Sequence, residues 1–193
     1  MQPLQDEPGE PPNRGRVSRR TGLVFLATGL VAAGVGATLH WWRTQPKSAA
    51  EASAPLFAAT FPDADGRPQP LAQWRGRILV VNFWATWCPP CVEEMPNLQK
   101  VRDQFRQRGV EVIGIGIDGA AKIAEFRDRH GLSLPLLVAG AGGSELNRAL
   151  GNSSGALPFT VLIGTDGRVR QRHLGQVRVE QLQRWIESAI RAV

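Results

Sequence analysis

The alternation of apolar and polar positions divides the chain into a leading apolar block and a longer patterned region. Gly22 to Trp42 is an uncharged run of about 21 residues, which at about 1.5 Å per helical residue reaches about 32 Å, enough to cross a bilayer core of about 30 Å. Further on, Leu56 to Phe61 reads as a short strand, followed by a turn at Asp63-Ala64-Asp65-Gly66, a short segment through Leu71 and a second turn at Gln73 to Gly76. Arg77 to Trp84 is then almost continuously apolar, the pattern of a strand covered on both faces. From Pro90 to Arg108 the residues Val92, Met95, Leu98, Val101 and Phe105 recur every three or four positions, predicting an amphipathic helix, kinked at Pro96.

Beyond it the pattern predicts a buried strand at Val110 to Ile117, a helix at Ala120 to His130 and a short strand at Leu134 to Val138. A loop at Gly140 to Gly143 leads to a short helix at Ser144 to Leu150. A strand at Leu157 to Ile163 turns through Thr165-Asp166-Gly167-Arg168 into a hairpin partner, Val169 to Leu174. Val179, Leu182, Trp185, Ile186 and Ile190 mark a closing helix. Strands alternating with helices and then a hairpin predict an α/β fold, a central mixed sheet flanked by helices.

Charge refines the picture at the N-terminus. Residues 1–21 are rich in Pro, Gly and charge without apolar periodicity and read as a disordered tail. Arg14, Arg16, Arg19 and Arg20 precede the apolar run and Trp41-Trp42 close it, so 22–42 reads as a transmembrane anchor with its N-terminus in the cytoplasm. A cleaved signal segment, with small residues at Val35-Gly36-Ala37, is the alternative. Residues 43–53 form a polar linker, and 54–193 the exported domain. The formal charge is +6, but from Ala54 onward 17 Lys and Arg face 13 Asp and Glu without a dense basic block, so nucleic acid is not an expected partner.

The only two cysteines, Cys88 and Cys91, stand between the central strand and the long helix, separated by Pro89 and Pro90. Two cysteines make neither a disulfide framework nor a four-ligand zinc site, and a two-residue gap at a strand-to-helix junction is the arrangement of a redox dithiol. The thiolate is the nucleophile, and a helix N-terminus favours it. Because Pro89 and Pro90 lack an N–H, they limit that stabilisation and keep the couple reducing. Glu94, three residues after Cys91 on the same helical face, is positioned to exchange a proton with it; the alternative is a glutamate favoured by the helix dipole. Trp87 reads as an apolar cover for the dithiol; Trp84, Trp74 and Trp185 read as core. The scattered His40, His130 and His173 do not read as ligands.

Val81-Asn82-Phe83-Trp84-Ala85-Thr86-Trp87-Cys88-Pro89-Pro90-Cys91-Val92-Glu93-Glu94-Met95-Pro96 resembles the membrane-anchored, thioredoxin-like disulfide reductases of the TlpA and ResA type. Gly155 to Ile163, followed by Asp166-Gly167, resembles the second motif of that family. The resemblance implies a thioredoxin-like fold in which Cys88 attacks, Cys91 resolves, Pro158 is a cis-proline facing the dithiol and Leu157 offers backbone to the substrate. Glu94 matches an acid near the pair in ResA-like members, whereas Asn82 stands where thioredoxin itself carries a buried acid. The expected activity is reduction of disulfides in exported proteins, such as the cysteine pair of apocytochrome c, with electrons from a transmembrane thiol carrier. The implied location is a bacterial inner membrane, single-pass, with the domain in the periplasm or outside the cell. No cofactor beyond the Cys88–Cys91 couple is expected. Two other readings share the fold: a copper-delivery module, which resembles a three-residue cysteine gap with a histidine, and a peroxidase, which resembles Thr or Ser three positions before its cysteine, where this chain has Ala85.

Overall fold

The computed structural model describes residues 53–192; the tail, the anchor and nearly all of the linker lie outside the described residues. Among those described, no helix is long and apolar enough to cross a membrane. In chain order the elements are α1 (Ala54–Ala58), β1 (Thr60–Pro62), β2 (Pro68–Pro70), a 3-10 turn (Leu71–Trp74), β3 (Ile78–Trp84), α2 (Pro89–Phe105), β4 (Val110–Gly116), α3 (Ala120–His130), β5 (Leu136–Val138), α4 (Gly140–Ala149), β6 (Phe159–Ile163), β7 (Val169–Leu174) and α5 (Val179–Arg191). The main sheet has the order β5-β4-β3-β6-β7, parallel through β5, β4 and β3 and antiparallel from β3 through β6 to β7. This is the mixed α/β sheet the alternation of elements predicts.

Every residue of β3 and β4 is buried, as continuous apolar strands in the middle of a sheet require. Successive β3 side chains go to opposite faces. Ile78, Val80 and Trp84 join one apolar cluster with Cys88, Cys91, Met95 and Leu98 of the active loop and α2, Ile123 and Phe126 of α3, and Leu182 and Ile186 of α5. Leu79, Val81 and Phe83 join the other, with Leu56 and Phe57 of α1, Leu71, Trp74 and Leu146. Gly114 on β4 is required by this packing: a β-carbon there would lie 2.7 Å from Leu136 Cδ2 and 3.0 Å from Trp84 Nε1, so glycine leaves the space Trp84 fills.

The structure corrects the sequence reading at two places. The stretch read as a strand from Leu56 to Phe61 begins as the helix α1, which Pro55 helps to start, and only Thr60–Pro62 is extended, paired with β2. Gly140 to Gly143, read as a loop, is the first turn of α4. Gly143 is buried there, and a β-carbon on it would lie 2.9 Å from Ala139 Cβ, so close packing overrides poor helix propensity. Helix α2 runs through Pro96, which removes one donor without ending it. Ser53, placed at the end of the linker by sequence, is buried and donates its hydroxyl to the carbonyl of Gly167.

Candidate active site

The loop from β3 to α2 carries the dithiol. Cys88 is the N-cap of α2, and Pro89 and Pro90 occupy the first helical positions, where a missing N–H breaks no intrahelical bond. Cys88 and Cys91 form a disulfide, with Cα atoms 5.3 Å apart. Cys88 keeps 5% of its surface and Cys91 none, so the first cysteine alone reaches solvent. The Cys88 N–H donates to the Ala85 carbonyl at 3.2 Å, and the Ile117 N–H to that of Trp84 at 2.9 Å. Thr86 Oγ1 donates to the Asp118 carboxylate, which also accepts the Gly119 N–H at 2.9 Å. Burial pushes the Asp118 carboxyl up, but the donors from Thr86 and Gly119 and the nearby Lys122 outweigh it and hold the group below its ordinary value. A charged Asp118 thus anchors the loop two residues before Cys88.

Trp87 is 63% exposed beside the disulfide. A cleft of about 400 Å³ opens next to it, lined by Thr86, Trp87, Val92, Phe126, Lys122 and Arg129 among others. Among the described residues the other tryptophans behave differently: Trp84 and Trp74 are buried, whereas Trp185, read as core, is only partly buried and meets His173 edge-on at 5.9 Å. His130 is exposed and packs on Phe126, ring centroids 4.3 Å apart. Among the described residues no group of three or more His, Cys, Asp and Glu side chains is placed to hold a metal ion.

Glu94 is buried, one turn after Cys91 on the inner face of α2. Asn82 Nδ2 donates to its Oε1 at 2.7 Å and the Val177 N–H to its Oε2 at 3.0 Å. The other proton of Asn82 Nδ2 goes to Thr160 Oγ1 at 3.0 Å, across the β3–β6 pairing in which Asn82 and Thr160 stand opposite each other. Loss of hydration pushes the Glu94 pKa up to about 7, and the two donors oppose that shift without cancelling it. A carboxyl that exchanges its proton near neutrality is suited to general acid–base work.

Leu157-Pro158 is a cis peptide. The register Phe83↔Phe159 puts Pro158 at the end of the sheet where β3 releases the dithiol loop. Leu157 is partly buried and packs against the cluster that holds both cysteines, and the Pro158 carbonyl accepts the Gly175 N–H at 2.8 Å. Cys88, Cys91, Trp87, Leu157 and Pro158 therefore lie at one end of the sheet, with Glu94 one turn after Cys91 on α2. Sequence reasoning missed Thr160, Asp118, Thr86 and the Val177 amide as parts of this site. The one signal was the presence of polar Asn82 and Thr160 inside otherwise apolar strands.

A redoxin family model matches residues 49–186. The chain belongs to the redoxin family. This redoxin is 29% identical over 175 residues to a thiol-disulfide oxidoreductase ResA of Geobacillus kaustophilus, covering 90% of this chain and 95% of the relative. It is 30% identical over 163 residues to the ResA of Bacillus anthracis, covering 82% and 90%. Among solved structures, a thioredoxin-family thiol:disulfide interchange protein of Chlorobium tepidum superposes with TM-score 0.60 at 27% identity, over 68% of this chain and 92% of that one. A secreted disulfide oxidoreductase of Mycobacterium tuberculosis superposes with TM-score 0.59 at 20% identity, over 68% and 96%, which speaks for the fold alone. The redoxin described here is thus a ResA/TlpA-like protein of thioredoxin fold and an enzyme of the thiol-disulfide oxidoreductase class.

Proposed function

We propose that this redoxin is an exported, membrane-anchored reductase of protein disulfides that works through the Cys88–Cys91 pair. The observation that carries the reading is the asymmetry of that pair: Cys88 caps α2 and keeps a little exposed surface, while Cys91 is fully enclosed one turn in. In the reduced enzyme, the Cys88 thiolate attacks one sulfur of a substrate disulfide and expels the other as a thiolate, which takes up a proton. Cys91 passes its proton to Glu94, and its thiolate attacks the Cys88 sulfur. The second substrate thiolate leaves and is protonated, and the enzyme is left with the Cys88–Cys91 disulfide. Two electrons pass from enzyme to substrate.

Leu157 and Pro158 supply the backbone platform and Trp87 the apolar contact for the client. Support for export comes from the apolar 22–42 segment behind its arginines and from the family resemblance. The family resemblance points to the cysteine pair of apocytochrome c as a client and to a transmembrane thiol carrier as the donor that re-reduces the disulfide. The Cys91→Ser chain, expressed in membranes, tests the reading. It should accumulate mixed disulfides with exported proteins that dithiothreitol releases and Cys88→Ser prevents. A folded Cys91→Ser chain that captures no protein disulfide would count decisively against it.

A further inference from the structure

The turn between β7 and α5 touches both halves of the site. At one end the Gly175 N–H donates to the Pro158 carbonyl at 2.8 Å; two residues on, the Val177 N–H donates to Glu94 Oε2 at 3.0 Å. Val177 is buried in the same apolar cluster as the two cysteines. Gly175 has φ +94°, and no atom lies within 4 Å of where its β-carbon would stand; glycine is there for its backbone conformation, not for space. The rest of the carboxylate is fixed from the sheet, by Asn82.

We propose that the Gly175–Val177 turn is a positioning element that couples occupation of the Pro158 platform by substrate to the proton held on Glu94. The inference rests on the reductase reading above. Each donor to a carboxylate favours its charged form, so lengthening the Val177 bond favours the protonated acid. A client strand that docks on Leu157–Pro158 and draws the Pro158 carbonyl outward draws Gly175 with it and loosens the Val177 donor. Glu94 then accepts the proton from the Cys91 thiol at the stage when Cys91 must act as a thiolate. The proton moves from Cys91 Sγ to a Glu94 oxygen, and the electrons move only between sulfurs.

Few other titratable groups face Glu94. Cys91 is its neighbour on α2, while the β3 and β6 groups, Asn82 and Thr160, do not ionise. Next to the turn, Nε2 of His173 on β7 lies 3.2 Å from the Gln176 carbonyl, and Arg178 is exposed. The test is the pH profile of insulin-disulfide reduction by the full chain. Gly175→Ala, which cannot hold the turn without strain, should move the Glu94 inflection upward by about half to one pH unit, the worth of one weakened hydrogen bond. Glu94→Gln should remove the inflection, Gly175→Ala should add no shift in that background, and His173→Gln should leave the inflection in place. An unmoved inflection in Gly175→Ala, an equal shift without Glu94, or loss of the inflection in His173→Gln overturns the coupling. A wild-type chain that reduces no insulin at any pH defeats the reductase reading itself, a different result from any of these.

A second measurement does not depend on the folding of Gly175→Ala. In Cys91→Ser, Cys88 is joined either to a cysteine peptide or to mercaptoethanol, and the Glu94 carboxyl carbon is titrated by NMR. The peptide adduct should titrate at the higher pH; equal midpoints overturn the proposal.

Discussion

Replacing Glu94 by Gln should flatten the pH dependence of stability near neutrality. Glu94 is only 1% exposed, and its pKa is pushed from 4.5 to about 7 by burial, against its two hydrogen-bond donors. The unfolded chain therefore releases this proton near pH 4.5, whereas the folded chain keeps it to about 7. The contribution is fully present below pH 4.5, falls as pH rises and is lost above about 7. At about 1.4 kcal/mol per pH unit the gap is worth about 3 kcal/mol, a sizeable part of a typical domain stability of about 5–15 kcal/mol. Urea unfolding of the oxidised chain should give about 2–3 kcal/mol less stability at pH 8 than at pH 5. In Glu94→Gln the two values should agree. Asp63 and Asp118, held below their ordinary values, lose their contributions only in more acid solution, outside this window. Equal wild-type stability at the two pH values, or a slope that survives in Glu94→Gln, would refute the reasoning.

Two further substitutions separate docking from chemistry. Trp87 is mostly exposed, so Trp87→Ala should leave stability within about 0.5 kcal/mol. As an anchor for a protein client it should raise KM for insulin by about tenfold or more while sparing a small disulfide such as oxidised lipoic acid; equal losses on both substrates rule out the docking role. Pro89→His restores a backbone N–H at the first position of α2, beside the Cys88 cap. One added donor to a thiolate, worth about 0.5–1.5 kcal/mol, stabilises the reduced form and should raise the reduction potential by about 10–30 mV. Equilibration with glutathione measures it, and an unchanged or lower potential shows that the proline pair does not limit the thiolate.

Much of the fold is legible because its central elements have unambiguous periods. The continuous apolar run of β3 and the three-to-four spacing on α2 and α5 leave little choice, and the turn at Asp166-Gly167 marks the hairpin. The failures have physical causes. Helix α1 is five residues long, too short to show a period of 3.6, and the tight packing around Gly143 that makes its segment helical belongs to tertiary structure. On α2 the apolar spacing points to Val92 as buried, yet it is only partly so, and the polar Glu94 and Arg102 take buried places along the helix. Arg102 is tolerated there because Glu111 of β4 accepts its guanidinium. Such a partner is nine residues away in sequence and adjacent only through the fold. The same holds for Thr160 beside Asn82 and the Val177 amide beside Glu94: the cysteine pair is visible locally, whereas the groups around Glu94 come from other elements.

Asn82 shows why the carboxyl stands alone on α2. A carboxylate in its place on β3 would face Glu94 across a hydrogen-bond distance, and two such groups titrate as a coupled pair with separated values. The neutral amide fixes Glu94 without a second charge and leaves one proton with one affinity near neutrality. This arrangement has an energetic consequence. With Glu94 charged, Asn82 must turn Nδ2 toward it and toward Thr160, and its buried Oδ1 then accepts no hydrogen bond from the described residues. A buried acceptor left unpaired costs about 1–3 kcal/mol. The cost stands in either protonation state of Glu94, because turning the amide over would leave its NH2 in the place where Oδ1 finds no partner. As a donor the amide opposes burial, and it holds the Glu94 pKa below where burial alone would put it. Glu94→Gln removes the titrating group and keeps one oxygen to accept the Val177 N–H or the Asn82 amide.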